Sequence, residues 1–257
     1  MRRLDQEIVK RQLARSRGQA VELIEAGNVL LNGFVATKPT TQVNDNCSIS
    51  IKTPDQKYVS RAALKLLSAL NVFQIDITGK NCIDAGASTG GFTQVLLERG
   101  ANKVYAVDVG YGQLAWQLQQ DSRVEVLDRI NIKNLSKKQI TDKIDLITAD
   151  LSFISLKNVL PALNALLEAT GEMILMVKPQ FEVGKEHIGR GVVRSVELRK
   201  LAISGVIESA LELGWVVVGA VESEVHGPSG NREFFLHLSQ NGAQLDPADI
   251  FALITEE

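Results

Sequence analysis

Residues 81–97 read NCIDAGASTGGFTQVLL: a short apolar run closed by Asp84, a glycine-rich turn, and a helical pattern opening near Gly91–Phe92. Strand, glycine turn and helix in that order bring backbone N–H groups and a helix N-terminus against a nucleotide-like ligand. Twenty-two residues after Gly86, a second apolar run (KVYAVDVG) ends in Asp108, placed to hydrogen-bond the hydroxyls of a ribose. The glycine spacing narrows the ligand. A dinucleotide fingerprint, G-x-G-x-x-G, needs its second glycine so that a pyrophosphate can approach the backbone. Here Gly86 is followed by Ala87, Ser88 and Thr89 before Gly90 and Gly91, and no Gly-Lys-Ser/Thr phosphate loop occurs. An adenosine cofactor without a pyrophosphate fits, and S-adenosylmethionine is the common one. Asp84, at its strand end, is placed to hold the cationic methionine portion directly or through water.

Charge is divided unevenly along the chain. The total is only −2, but residues 1–59 carry nine Lys/Arg against six Asp/Glu, and residues 60–257 carry nineteen against twenty-four. Within the first seventeen residues, Arg2, Arg3, Lys10, Arg11, Arg15 and Arg17 stand against only Asp5 and Glu7. A basic module is joined to an acidic one, although such a charge run is also what a solvated helix face looks like. At 257 residues and 45% hydrophobic, the chain is long enough for a full core plus a small accessory domain. The apolar run near Trp215–Val221 is too short to span a bilayer, so no membrane association is expected. The opening MRRLDQEIVKRQ does not read as a secretory leader. Cys47 and Cys82 lack partners at ligand spacing and His187, His226 and His237 are scattered, so the expectation is reduced thiols, no metal and a cytoplasmic setting.

The first module, residues 1–59, is legible from local signals. Leu4, Ile8 and Leu13 predict an opening helix with basic residues outward. Ser16-Arg-Gly-Gln19 has the capping-box spacing of a second helix, with Ala20, Val21, Leu23 and Ile24 inward and Gly27 at its end. Asn32-Gly33 between two apolar runs predicts a hairpin. CSISIK predicts a closing strand, and residues 53–57 a linker. From Ser60 the pattern alternates. A capped helix (SRAALKLLSAL) precedes strands at about 80–84, 103–109, 124–128, 144–150, 172–178, 215–222 and 233–238, with helices at 112–120, 155–168 and 195–213. IDLITAD and EMILMVK are continuously apolar, as strands of a parallel sheet covered on both faces are. HGPSGN is too short for a crossover, so the last strand pairs antiparallel or lies beside a neighbour. The expectation for residues 60–257 is therefore an α/β, class I Rossmann-like methyltransferase sheet of seven mostly parallel strands with the last reversed.

Ligands of such sheets bind beyond the carboxyl ends of the strands. Asp150 closes KIDLITAD and Lys178 closes EMILMVK, both charged residues in apolar contexts. Glu233 opens the last strand and Lys65 lies on the helix before the first. Taken singly, each has an ordinary reading as a surface charge, and Asp150 with Lys178 as a structural ion pair. Spacing alone does not bring the four together.

Longer motifs add a resemblance. SRGQAVELIEAGNVLLNG is similar to the small RNA-binding module first described in a ribosomal small-subunit protein, the alpha-L motif, over residues 2–59. It implies contact with structured RNA through Arg3, Lys10, Arg15 and Arg17, with Asn32 and Lys38 as weaker candidates. SRAALKL, DAGASTGGFT, VYAVDVGYGQL, ADLSFISL, VKPQFE and GNREFFLHL resemble the TlyA, or hemolysin A, family, in which that module precedes an FtsJ-like ribose methyltransferase. The likeness runs over residues 2–239. Its departures, Ala62 and Ala63 where many relatives carry glycine and Ala85 where valine is common, remove no functional group.

The resemblance implies an S-adenosylmethionine-dependent 2′-O-methyltransferase acting on ribosomal RNA, at a cytidine, within ribosomal subunits. It maps a Lys-Asp-Lys-Glu tetrad onto Lys65, Asp150, Lys178 and Glu233. Lys178 is then either a neutral base or an ammonium steadying an alkoxide. The cofactor set is Asp84, Gly86, Ala87, Ser88, Gly90, Gly91 and Phe92, with Asp108 and Val109 at the ribose and Asp128 and Arg129 as weaker adenine candidates. Residues 180–193 read equally as a loop closing over RNA and as a passive surface loop. Competing readings are a pore-forming haemolysin, which lacks a spanning or strongly amphipathic segment, a catalytically silent assembly factor, and a small-molecule methyltransferase.

Overall fold

The computed structural model describes residues 2–11, 13–14, 16–44, 47–51, 57–184, 188, 191–227 and 229–254. The chain forms two compact units, Met1–Lys57 and Tyr58–Glu257, dividing two residues before the boundary read from the sequence.

The first unit runs β1 (Arg2–Arg3), α1 (Leu4–Lys10), α2 (Arg17–Glu25), β2 (Val29–Leu31), β3 (Phe34–Val35), β4 (Gln42–Val43) and β5 (Ile49–Ile51). Helix α1 stops before Leu13, whose amide reaches back to the Ile8 carbonyl and whose side chain is 36% exposed rather than inward. Ser16 Oγ caps α2 by accepting from the Gln19 amide. The helix ends as its glycine predicts: Gly27, at φ +71°, lets its own amide reach Ile24 O and the Asn28 amide reach Leu23 O. Asn32 and Gly33 both have positive φ, the twist that a two-residue hairpin between β2 and β3 requires. Strand β5 pairs with the other edge of β2, and β1 pairs antiparallel with β4, a contact the sequence does not announce. Leu4, Ile8, Ala20, Ile24, Val29 and Val43 fill the core. The linker reading falls largely on residues 53–56, outside the described ones.

The second unit runs α3 (Ala62–Phe73), β6 (Asn81–Ala85), α4 (Gly91–Glu98), β7 (Lys103–Asp108), α5 (Trp116–Gln119), β8 (Val124–Asp128), β9 (Ile144–Ala149), α6 (Leu160–Leu166), β10 (Leu167–Val177), α7 (Pro179–Glu182), α8 (Val196–Leu211), β11 (Val216–Glu222), β12 (Phe234–Ser239) and α9 (Pro247–Ala252). Its seven strands lie in the order β11-β12-β10-β9-β6-β7-β8, with β12 antiparallel to both neighbours and β10, β9, β6, β7 and β8 parallel. Side chains alternate across this sheet. Ile83, Ala85, Tyr105, Val107, Ile147, Leu175 and Leu236 pack under α6, α8 and α9, while Cys82, Val104, Ala106, Leu146, Ile174 and Phe235 pack under α3 and α4.

Several helices depart from the predicted ones for local reasons. Helix α5 covers only the end of 112–120, because Gly112 takes a left-handed φ of +63°. The predicted helix 155–168 splits into a 3-10 turn (Leu156–Asn158) and α6, which starts at Leu160 because Pro161 is tolerated only in a first turn. Helix α3 has no side-chain cap: Arg61 is its N-cap, and Ser60 contributes only its backbone carbonyl. Helix α9 lies in a tail with no predicted structure, although Asp246 capping Ala248 and Pro247 following it form a readable start signal. No described helix is long and apolar enough to cross a membrane.

At the end of the sheet away from the parallel strands' carboxyl termini, Glu172 accepts from His237 Nε2 at 3.0 Å and from Lys80 Nζ at 2.7 Å. The His237 hydrogen bond lowers the Glu172 carboxyl most; burial opposes it and Lys80 adds to it, leaving a value of about 2 against an ordinary 4.5. A folded value below the unfolded one contributes stability that is complete above pH 4.5 and lost as the pH falls toward 2. Glu172→Gln is therefore expected to lower the unfolding free energy by about 2 kcal/mol at neutral pH, a deficit that vanishes on acidification. Urea unfolding of both proteins across that pH range checks this, and a deficit independent of pH would assign the loss to packing instead.

Candidate functional site

The glycine turn is shaped by its backbone. Gly86, at φ +87°, lies so close to the next strand end that a β-carbon there would sit 2.5 Å from the Asp150 carbonyl oxygen. The amides of Gly86 and Ala87 both reach Val107 O, and Ser88 and Gly90 also have positive φ. Gly91 lets α4 approach α3: a β-carbon would lie 2.9 Å from the Ala63 amide. Asp108 supports the turn from β7, accepting from the Ser88 amide at 2.8 Å and the Gly110 amide at 2.7 Å. Asp84 is placed differently from the expectation. It is fully buried, and its Oδ2 accepts from both the amide and the hydroxyl of Thr93, inside the first turn of α4. Burial pushes its carboxyl up to about 7 against those two hydrogen bonds, and its Oδ1 has no hydrogen-bond partner among the described residues. It acts on the site from beneath, by fixing the helix that follows the turn.

Three linked cavities run along the carboxyl ends of the strands. The first, of about 450 Å³, has Gly86, Ser88, Asp108 and Val109 on one side and Ile130, Asn131 and Ile132 on another. The second, of about 230 Å³, lies over Ala87, Gly91 and Phe92 and shares Gly86, Ser88, Asp150 and Ser152 with the first. An apolar slot beside the Asp108 carboxylate, continuing over a glycine turn toward charged groups, fits the shape and chemistry of S-adenosylmethionine. Asp128 and Arg129 stand outside both linings. Asp128 accepts from the Gly112 amide, and the Arg129 guanidinium stacks 4.2 Å from the Tyr111 ring centre. The side chains after them, Ile130 to Ile132, form the wall, and Gln113 joins it from the β7–α5 loop. Gly90 meets Leu114 and Leu118 and is held by packing.

The third cavity, of about 270 Å³, brings the four charged residues together with Ser60 and Ser152. Lys65, from α3, reaches Glu233 Oε2 at 2.5 Å, and both are buried. Lys178, just beyond β10, lies 2.5 Å from Asp150 Oδ1, an ionic contact outside hydrogen-bond angles, and donates to Ser152 Oγ at 3.1 Å. The surface-helix reading of Lys65 and the strand-edge reading of Glu233 both fail on burial. Gly227 packs on Glu233 so closely that a β-carbon would lie 2.7 Å from its Oε1.

A further cavity of about 480 Å³ opens on the other side of Lys178, toward Phe153 and Phe181. Phe153 is 91% exposed and has a left-handed φ of +63°, unusual for a bulky residue. The segment 180–193 begins in α7, and residues 185–187, 189 and 190 of it are outside the described ones. Glu182 of α7 is buried, accepting from Ser155 Oγ at 2.5 Å and the Leu156 amide at 2.7 Å. Burial raises its carboxyl above the ordinary range against those bonds. Ser152, Phe153 and Glu182 escape sequence reasoning singly. Their signal is position alone, within four residues of a charged strand end.

In the first unit the cations are less free than their number implies. Arg3 binds Asp5 through Nε and Nη2, both at 3.1 Å, and Arg17 Nε binds Asp5 Oδ2 at 2.8 Å, although Asp5 itself is fully buried. Glu7, also buried, pairs with Arg2, Arg11 and, at 4.0 Å, Lys10. Lys38 is exposed, while Asn32 Oδ1 accepts from the Ser48 amide and so ties the hairpin turn. Arg15 lies outside the described residues.

Residues 58–240 match the FtsJ-like methyltransferase family and residues 2–46 the S4 domain. A Mycobacterium tuberculosis protein named 16S/23S rRNA (cytidine-2′-O)-methyltransferase TlyA is 52% identical over 238 residues, 92% of this chain and 89% of that protein. The chain belongs to the TlyA family. The family's names divide between two activities: a relative from Brachyspira hyodysenteriae, 36% identical over 91% of this chain and 98% of its own, is called Hemolysin A. A solved structure, that of a putative hemolysin from Streptococcus thermophilus, has 38% identity and a TM-score of 0.77, covering 98% of this chain and 94% of that one.

Replacing Gly86 tests how the turn supports the site. Gly86→Ala is expected to cost about 2 kcal/mol, from positive φ and the clash with Asp150, and to part Asp150 from Lys178. Thermal unfolding and a crystal structure of the variant check this; an unchanged midpoint with the ion pair intact would contradict it.

Proposed function

We propose that this chain transfers a methyl group from S-adenosylmethionine to the ribose 2′-hydroxyl of a cytidine in ribosomal RNA, with the S4 unit gripping the RNA. The observation that carries this reading is the meeting of two lysine–carboxylate pairs in one cavity continuous with the glycine-turn cavities. The Mycobacterium tuberculosis relative named for that activity supports the substrate. A cytoplasmic setting and ribosomal subunits as the substrate form accord with it.

In this reading the first two cavities hold the cofactor, with Asp108 at the ribose, Val109, Ile130 and Ile132 around the adenine, and the turn from Gly86 to Gly91 along the methionine portion. When bound, the cofactor supplies a methyl group already activated by its sulfonium. The protein's task is then to align one hydroxyl and manage one proton. Lys178 Nζ is the group for the proton: as a free amine it accepts it, and as an ammonium it steadies the developing alkoxide. Asp150 balances the charge of the ammonium and lies against the nitrogen in either state. Lys65, kept oriented by Glu233, positions the hydroxyl from the opposite wall. Arg3, Lys10 and Arg17 offer phosphate contacts, which set the register of the RNA without reading its sequence. The haemolysin name finds no support in the described helices, none of which is long and apolar enough to span a bilayer.

Lys178→Ala is expected to reduce methyl incorporation into unmodified ribosomal subunits at least about 100-fold, with cofactor affinity by calorimetry close to wild type. Turnover near the wild-type rate, or loss of cofactor binding, would show that Lys178 does not handle the proton.

A further inference from the structure

Among the described residues, Ser152 is the one that lines all four cavities. It is exposed, and its Oγ accepts from Lys178 Nζ at 3.1 Å while Asp150 Oδ1 lies 2.5 Å from the same nitrogen. The next residue, Phe153, has the strained left-handed backbone. Strain of this kind persists where the surroundings over-determine the chain, and it clusters at working sites. Here it turns the chain immediately after Ser152, leaving the hydroxyl beside Lys178 and the Phe153 ring in solvent.

A lysine amine rotates freely about its last bond unless its hydrogens are committed. Nζ has three tetrahedral positions besides its carbon. Asp150, in ionic contact outside hydrogen-bond angles, draws one N–H toward it by charge but leaves the amine free to swing about that contact. The hydrogen bond to Ser152 fixes one position and the pull of Asp150 sets the rotation about it, which together aim the third. We propose that Ser152 is a positioning residue for methyl transfer: with Asp150 it points the remaining position of Lys178 Nζ at the substrate hydroxyl. That position carries the lone pair of a free amine or the last N–H of an ammonium, so the device serves either protonation state. The inference rests on the methyltransferase reading and adds to the tetrad a neutral hydroxyl that leaves its charge balance unchanged.

The test compares Ser152→Ala and Ser152→Thr with wild type, measuring steady-state methylation of unmodified ribosomal subunits, cofactor affinity by calorimetry, and thermal unfolding. Because Ser152 is exposed, both variants should fold. For Ser152→Ala, kcat is expected to fall about 10- to 100-fold, the scale of losing alignment at a reacting group, while the KM for RNA and the cofactor Kd stay within about twofold. Ser152→Thr, which keeps the hydroxyl, should recover kcat to within about threefold of wild type. An alanine variant as active as wild type, a change confined to KM, or a threonine variant as impaired as alanine would each overturn the inference while the methyltransferase reading stands. A wild-type protein that transfers no methyl group to ribosomal RNA would overturn that reading and this inference with it.

Discussion

Asp150 and Lys178 touch because β6, β9 and β10 run parallel and in register. Ala85 pairs with Ala149, Ala149 with Leu175, and the Asp150 amide continues the ladder to the Ala85 carbonyl. Once this pairing is made, the chain beyond each of three strands emerges at the same edge, and the glycine turn, the aspartate and the lysine become neighbours without any specific side-chain contact. Gly86 is the condition for it. With any larger residue the turn after β6 collides with the backbone of Asp150, so the cofactor turn and the tetrad stand or fall together. The fourth member, Glu233, arrives by the other route, from an antiparallel strand that enters the sheet from the opposite direction.

Much of this is legible in the residues. Continuous apolar runs mark the buried parallel strands, HGPSGN marks the reversal before the last one, and Asp150 and Lys178 stand out as charges ending such runs. What the sequence does not carry is depth. Asp84 and Asp108 are both acidic strand ends, yet Asp84 is sealed under α4 by Thr93 while Asp108 stays at the cavity edge. Asp128 and Arg129 look like adenine contacts by position, but the chain turns after them and it is Ile130 to Ile132 that line the cavity. Convergence of Lys65 with Glu233, 168 residues apart, is legible only through resemblance, since no local spacing encodes a contact between α3 and the start of the last strand.

The same limit applies to charge. Counting arginines in the first seventeen residues predicts a strongly positive surface, but Asp5 and Glu7 are buried at the centre of that cluster and each gathers two or more cations. Burying a carboxylate is costly unless it is paired, so these two hold their arginines in fixed geometry. The surface offered to a phosphate is consequently more ordered and less charged than composition implies. In the second unit the tetrad likewise sets each lysine against a carboxylate within one cavity.

Glu182 gives the site a mechanical property. Its carboxylate clasps Ser155 and Leu156, so the segment that follows Asp150 and the one that follows Lys178 are stapled a few residues behind the ion pair. The segments on either side of the ion pair are therefore fastened to each other as well as to the sheet. The distance between aspartate and lysine is thus held from two sides, by the strand ladder in front and by this clasp behind.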